Sequence, residues 1–479
     1  MPTLRSWIVW LLVPAGAALL LLLGGCALGP DHQLPALEVP AEFKEAADRD
    51  AAPPPGWKRA RPGGAPAPDG RPVGWQWWQI YDDPTLTTLV AGLDDGYPGI
   101  AAAAARYRQA RALIDVTAAA GAPQADLGVA ASRSANSRVP GTVRSSRAVI
   151  DVGWEPDLWS RIGRTVELSA SNARASAEDL AAIRLSAQAA LVSAYWRLRS
   201  SDALRRLFES TVEGFRQSLR VTRNRYEAGV VPRSDVSQAE TQLRNVEAQL
   251  IEVGIERAQA EHAIALLLGR PPGQVAVVET DAAPTVPLMP VGLPSDLLER
   301  RPDISAAEYR VAAANAQIGI ARSAWFPLLR LQGSLGTQGA TVADLFSLPN
   351  HFWSLGPALA QILFDGGERR AREQQVQAAH GEASANYRLA VLSAFQEVED
   401  ALVALRLLGQ EERVQLLAER AAADALEQVT NQYRAGTVSI LNLITTQAVL
   451  LQARRGLVEL RYRQLLQSVQ LVKATGGGW

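Results

Sequence analysis

Proline is missing from two long stretches of this 479-residue chain, and that absence limits its fold more than any other feature. None occurs between Pro156 and Pro232, and none follows Pro357. A proline inside a helix removes a backbone donor and clashes with the preceding turn, so proline-free stretches can hold long helices. From Gly367 to Tyr433 the chain is rich in Ala, Leu, Glu, Arg and Gln, all good helix formers. Val391, Phe395, Val398, Leu402 and Leu405 follow the 4-3-4-3 spacing of a coiled-coil seam. At about 1.5 Å per residue this stretch predicts a rod of roughly 100 Å, and Arg161 to Tyr226 predicts a similar one. Helices of that length suit a coiled coil or a helical duct rather than a globular core.

The chain also repeats itself. Asn224-Arg225-Tyr226-Glu227-Ala228-Gly229 recurs as Asn431-Gln432-Tyr433-Arg434-Ala435-Gly436, 207 residues later. Ala110, Ala112, Ile114, Ala120, Pro123 and Leu127 recur as Ala314, Ala316, Ile318, Ala324, Pro327 and Leu331, at a spacing of 204. Matching order with a small drift in spacing is the mark of duplication followed by minor insertions. Each rod ends at a glycine, Gly229 or Gly436, which supplies a left-handed cap and lets the chain reverse. The returning helices are expected over Ser234–Leu268 and Ile440–Val472.

Between the short and long helices of each copy the period changes to two. Ala148, Ile150, Val152 and Trp154 alternate with Asp151, Gly153 and Glu155; Leu329, Leu331 and Leu335 alternate with Arg330, Gln332 and Ser334. Period two with one apolar face predicts half-buried strands. Such strands suit a membrane β-barrel, with Ile150, Val152, Trp154, Leu329 and Leu331 toward lipid and Asp151, Glu155 and Arg330 toward the lumen.

The first residues read as an export signal. Arg5 is followed by an apolar stretch from Trp7 to Leu23 and then by Gly24-Gly25-Cys26. The segment is short and ends in small residues, as a secretory leader does. Its end resembles the lipobox of bacterial lipoproteins, which implies that Cys26 carries an N-acyl chain and an S-diacylglycerol and becomes the mature N-terminus. With Ala27 rather than Asp after it, the same resemblance implies sorting to the outer membrane. Cys26 is the sole cysteine, so no internal disulfide can form. The expected organisation is a signal peptide at 1–25 and a lipidated, proline-rich tether at 26–74, extended or partly disordered. A first repeat at 75–270 follows, then a linker at 271–294 and a second repeat at 295–479. Order is expected to begin near Trp75-Gln76-Trp77-Trp78.

Several function classes are excluded by composition. With 48 basic and 49 acidic residues the net charge is -1, which gives no basic surplus for nucleic acid. His32, His262, His351 and His380 are scattered without metal-ligand spacing. Asp365-Gly366-Gly367 lacks the Lys-Ser/Thr of a phosphate loop and reads as a strand-to-helix turn with a helix cap. The chain is therefore read as no enzyme, with no metal and no cofactor beyond the covalent lipid.

Gly292-Leu293-Pro294-Ser295-Asp296-Leu297-Leu298-Glu299-Arg300-Arg301-Pro302-Asp303-Ile304 resembles the signature that opens the second repeat of outer-membrane factors in the TolC-like superfamily, in its OprM/NodT lipoprotein branch. Ala324-Trp325-Phe326-Pro327, Phe364-Asp365-Gly366-Gly367, Ala394-Phe395-Gln396-Glu397-Val398, Tyr433-Arg434-Ala435-Gly436 and Gly476-Gly477-Gly478-Trp479 extend the likeness. The resemblance implies a mostly α-helical homotrimer in which each chain gives four strands to a shared outer-membrane β-barrel and long helices to a periplasmic α-barrel. It implies a passive efflux conduit that works with a periplasmic adaptor protein and an inner-membrane pump of the resistance-nodulation-division type. The tip that meets the adaptor would comprise Gly229, Val230, Val231, Asp235, Gly436, Thr437 and Val438. Family members often carry acidic residues just after the second tip glycine, whereas this chain has Val438 and Thr445 there and keeps Asp235 in the first copy. Two other readings are a duct for one-step protein secretion and a lipid-tethered coiled-coil scaffold without a pore.

Overall fold

The computed structural model describes residues 29–37, 39–40, 42–45, 76–136, 139–280, 285–287 and 300–477. The leader, Cys26, most of the tether, Gly292–Glu299 of the signature and the last two residues lie outside the described residues. Seven helices of eight or more residues and one four-stranded sheet organise what is described. They are α1 (Pro84–Ala91), α2 (Pro98–Ala119), β1 (Gln124–Asn136), β2 (Val139–Trp154), α3 (Arg161–Glu227) and α4 (Arg233–Leu267). The second copy follows with α5 (Pro302–Ser323), β3 (Leu328–Gly339), β4 (His351–Ala360), α6 (Glu368–Arg434) and α7 (Ile440–Ala474).

The duplication is visible in the lengths. Helices α2 and α5 have 22 residues each, α3 and α6 have 67 each, and α4 and α7 have 35 each. The rods run unbroken where proline is absent, within a residue or two of the ends expected from the glycine turns. The predicted seam on α6 is inward: Val391, Val398 and Leu402 are buried, with Phe395 and Leu405 packed beside the last two.

By packing, the described chain divides into two units, and both repeats contribute to each. The first unit takes residues 105–177 and 306–388 together with the strap before Leu37. Its sheet is antiparallel throughout, in the order β1-β2-β3-β4. Both strand-to-helix turns are capped by an aspartate. Asp157 accepts from the amides of Ile162 and Gly163 at 3.0 and 2.7 Å at the start of α3. Asp365 accepts from the amide of Gly367 at 3.0 Å at the start of α6, and from the Arg369 side chain at 2.5 Å. Carboxylates satisfy otherwise orphaned amides at a helix start, which accounts for Asp365-Gly366-Gly367. Trp159 stacks on Phe326 with 4.8 Å between ring centroids and donates to the carbonyl of Pro327 at 2.8 Å.

The second unit takes residues 37–104, 178–305 and 389–479. Trp77, Trp78, Tyr81, Tyr195, Trp196 and Val469 form the centre of its main core. The aromatic hydroxyls there are paired: Tyr81 with Ser468 at 2.7 Å, and Tyr195 with Asp83 at 2.5 Å. Desolvation raises the Tyr81 phenol well above its usual range, the Ser468 hydrogen bond opposing it only in part, so it stays a neutral hydroxyl.

One expectation needs correction. Order does not begin near Trp75, because residues of the tether already pack on the helices. In the first unit, Gly29 lies so close to Gly319 that a Cβ would stand 2.8 Å from its Cα, and Asn315 donates to the carbonyl of Pro30 at 2.9 Å. In the second unit, Phe43 is buried among Val398, Ala401, Leu402, Leu471 and Ala474, and the amides of Lys44 and Glu45 donate to Glu399 at 2.7 and 2.9 Å. Proline richness rules out helix, not docking.

Candidate channel-forming sheet and helical tip

The register of the sheet settles which side chains share a face, since residues directly opposite one another in a ladder point the same way and alternate along each strand. Leu127, Ile150, Leu335 and Trp353 stand in one row across all four strands. Ala125, Val152, Gly333 and Leu355 form another row of the same face, and Trp154, Leu331 and Pro357 a third. Leu329 pairs with Leu359 on that face too. These are large apolar residues left open: Leu127, Trp353, Leu355 and Leu359 are each about 70% exposed or more. The opposite face carries Asp126, Asp151, Ser334 and Ser354 in one row and Arg330 with Ala358 in another. Glu155 is not on this face, because β2 ends at Trp154; its carboxylate accepts from Arg161 Nε and Nη2 at 2.9 and 2.7 Å.

Sequence reading missed two strands' share of the apolar face. Leu127 and Val129 sit among small residues in β1, and Trp353 and Leu355 sit beside Gly356 and Pro357 in β4. The alternation is present in both strands but carries fewer large residues per turn of pattern. The far strands leave their outer edges unpaired, since β1 pairs only with β2 and β4 only with β3.

The two helix reversals lie in the second unit. Gly229 and Gly436 have φ of 74° and 78°, the left-handed conformation that favours glycine. The amide of Val230 donates to the carbonyl of Arg225 at 2.8 Å, and that of Thr437 to Gln432 at 3.0 Å. Both are the six-residue closure typical of a glycine-ended helix. Around these turns the copies differ. Val230 is 68% exposed, while Val231 and Val438 are half-buried and Val438 packs on the tip cluster of Phe215, Leu219, Tyr433 and Ile440. Asp235 lies in the first turn of α4, half-buried, and Thr437 turns its hydroxyl back to the carbonyl of Gln432. Arg225 on α3 and Tyr433 on α6 form a tie across the tip that no sequence signal marked.

No described residues form a cluster of three or more His, Cys, Asp or Glu that could hold a metal. No described helix is long and apolar enough to cross a membrane.

The outer membrane efflux protein family matches residues 95–270 and 293–477 of the chain. A probable efflux pump outer membrane protein, TtgC of Pseudomonas putida, is 30% identical over 467 residues, covering 96% of this chain and 94% of its own length. The cation efflux system protein CusC of Escherichia coli is 27% identical over 463 residues, covering 96% and 97%. Among solved structures, the outer-membrane channel OprN superposes with a TM-score of 0.85 at 30% identity over 95% of this chain and all of that one. The outer membrane protein VceC of Vibrio cholerae gives 0.79 at 26% identity over 85% of this chain.

Proposed function

Because this chain belongs to the outer membrane efflux protein family, and is thereby an outer-membrane efflux channel protein with the fold of those channels, we propose that three copies form the passive exit duct of a tripartite pump. The observation that carries the proposal is the open four-stranded sheet with one exposed apolar face. In lipid every backbone group needs an internal partner, so the free edges of β1 and β4 cannot be left unpaired. In an antiparallel sheet of four strands β4 runs opposite to β1, so β4 of one copy can pair with β1 of the next. Two copies would give eight strands, whose interior side chains fill, whereas three leave room for a channel. Ile150, Val152, Trp154, Leu329 and Leu331 then face lipid, and Asp151 and Arg330 the lumen. Cys26 supplies the lipid anchor, and two acyl-bearing attachments are what stable anchoring takes.

The duct itself does no chemistry. An adaptor protein docks at the glycine turns and joins the duct to an inner-membrane pump of the resistance-nodulation-division type, which supplies the energy. Drugs or other small toxic compounds are the cargo. The test is expression in a bacterium stripped of its own outer-membrane efflux channels but keeping pump and adaptor. Restored dye efflux, with a trimer on cross-linking and an acylated Cys26 on mass spectrometry, is the expected result. A monomer that restores nothing overturns it.

A further inference from the structure

The apolar face of the sheet ends in two arginines. Arg133 on β1 and Arg144 on β2 are direct cross-strand partners, six residues beyond the Leu127–Ile150 pair and on the same face. The register between the two pairs is unbroken, its first irregularity falling at Ala135/Asn136. Both side chains are exposed, and neither has an acidic partner among the described residues. Like charges placed directly opposite destabilise a ladder, so the pair has a local cost that no ion pair among the described residues offsets.

Its height is informative. Trp154, at the other end of β2, is half-exposed on the same face and donates to the carbonyl of Gly121 at 2.9 Å, the posture of an interfacial aromatic. Ten residues separate Trp154 from Arg144. At ~3.3 Å each this is about 33 Å along the strand, and a tilt near 40° reduces it to about 25 Å along the membrane normal. That is the height of the apolar band of an outer-membrane barrel. With Trp154 at one interface, Arg144 reaches the other. All four helix connections leave the Trp154 end of the sheet, so the arginines stand at the end away from the helices.

Beside them is a built recess. The connection between β3 and β4 folds back over the end of β2 and leaves a cleft of about 490 Å³ lined by Arg144, Ser145, Gln338, Asn350 and His351. By register His351 shares the face of Arg144. Asp344, the acidic residue of this connection, packs its side chain against Gly339 at the edge of the cleft, where its carboxylate accepts from the amide of Thr341 at 2.7 Å.

We infer that Arg133 and Arg144, with His351 and the adjoining cleft, form a binding site for the phosphate of an outer-leaflet lipid headgroup. The inference rests on the lipid-facing reading of the sheet. A lipid phosphate, rather than a free one, is the occupant because the arginines continue the surface that the acyl chains would cover. Two guanidinium forks can bind a phosphate with parallel hydrogen bonds, and each basic residue near an anionic surface adds attraction.

The test uses the full-length protein purified in mild detergent, with native mass spectrometry to count retained lipid. Synthetic bisphosphorylated lipid A is offered to the wild type and to an Arg133→Gln/Arg144→Gln variant; the phosphate-free analogue and inorganic phosphate serve as further probes. Retention of the phosphorylated lipid is expected to fall about tenfold in the variant, and an Arg133→Lys/Arg144→Lys pair should keep most of it. Equal retention in wild type and Gln variant overturns the inference. So does equal retention of the phosphate-free analogue, or displacement by millimolar inorganic phosphate. A nitroxide on Val152→Cys, introduced in a Cys26→Ser background, separates the two levels. If it meets lipid-soluble relaxants while lipid A is not retained, this inference alone fails; if it does not, the lipid-facing reading fails with it.

Discussion

Arg225 on α3 donates from Nη2 to the carbonyl of Tyr433 on α6 at 2.7 Å, and its guanidinium lies 4.4 Å above that residue's ring. A second bond reaches the carbonyl of Arg434 at 3.1 Å, and Thr222 meets the Tyr433 hydroxyl at 3.1 Å. The last carbonyls of a helix have no partner within it, so one side chain from the first repeat caps the rod of the second. The duplication does not return the favour. Gln432 stands where Arg225 would recur, and Tyr226, the counterpart of Tyr433, is 44% exposed whereas Tyr433 is 3% exposed.

This one-sided tie should help to hold the two rods together at the tip, and so limit how far the tip opens. A charge-assisted hydrogen bond contributes about 1.5–3 kcal/mol and an exposed cation–π contact about 0.5–1 kcal/mol, and water at the tip reduces both. Arg225→Gln is expected to raise the resting conductance of the purified channel in planar bilayers several-fold, with trimer yield unchanged. A closed-state conductance equal to wild type would count against it.

Phe43 should be the peg that fixes the strap. Phe43 is 6% exposed in a pocket of Val398, Ala401, Leu402, Leu471 and Ala474, and truncating a buried Phe costs about 3–5 kcal/mol. Phe43→Ala is expected to expose residues 37–45 to limited proteolysis while the helices stay protected, and to lower the melting temperature by several degrees. Cleavage at the wild-type rate would show the strap is held elsewhere.

Arg301 should act as a latch with a pH signature. It is buried and donates to both oxygens of Asp303 at 3.0 and 2.6 Å, to Glu397 at 2.6 Å and to the carbonyl of Ala474 at 3.0 Å. Burial pushes the Asp303 carboxyl up, but the hydrogen bond and charge of Arg301 outweigh it and hold the group below its usual value. A depressed folded value means stability that is present above the ordinary carboxylate range near ~3.9 and is lost as pH falls through the lowered one. Both acids are about half exposed and can rehydrate, so Arg301→Met should cost about 2–3 kcal/mol, below the usual figure for a broken buried pair. The variant's thermal stability should also change less between pH 5 and pH 3. A wild-type pH slope in the variant would remove Arg301 from this role.

Much of this architecture is legible in the order of residues alone, and the parts that are not share a cause. Helix extents follow from local rules: proline excludes, glycine terminates, and the same intervals recur in both copies. Faces follow from period two wherever the residues are large, as at Ile150, Val152 and Trp154. What escapes is long-range. Phe43 meets Leu402 and Leu471 from far away in sequence, and nothing about Phe43 itself announces them. Tyr226 and Tyr433 occupy equivalent places in the repeat, yet one is buried and one exposed, because a single arginine on the other rod chooses between them. Glu155 misleads for a local reason: alternation continues one residue past the last ladder bond, where Arg161 takes the carboxylate.

A charge in the middle of the apolar face should block assembly rather than folding. Ile150 pairs with both Leu127 and Leu335 in the central rows. Arginine at the mid-plane of a barrel's lipid face costs about 2–4 kcal/mol per copy. Ile150→Arg is expected to reduce heat-resistant trimer in the outer membrane sharply, while Asp151→Asn on the opposite face leaves it near wild type. Equal trimer in both variants would mean that this face does not meet lipid.

The last prediction separates capping from docking at the tip. Gly229 and Gly436 need their left-handed conformation whatever the tip does, so replacing them would confound the two roles. Val438 is equally unsuitable, because it packs on the tip cluster and a charge there would disturb Tyr433 and Ile440. Val230 is the clean position. It follows Gly229 directly, its side chain is 68% exposed, and its amide bond to Arg225 is made by backbone and survives substitution. A single exposed valine is ordinary on a soluble surface, so its exposure alone proves nothing. Val230→Glu should leave the trimer, its melting temperature and its membrane level unchanged. If the turn is where the adaptor docks, cross-linking between the two proteins and dye efflux should both fall at least several-fold. Efflux at the wild-type rate with a normal trimer would leave the turn as a helix cap and place the docking surface elsewhere on the rods.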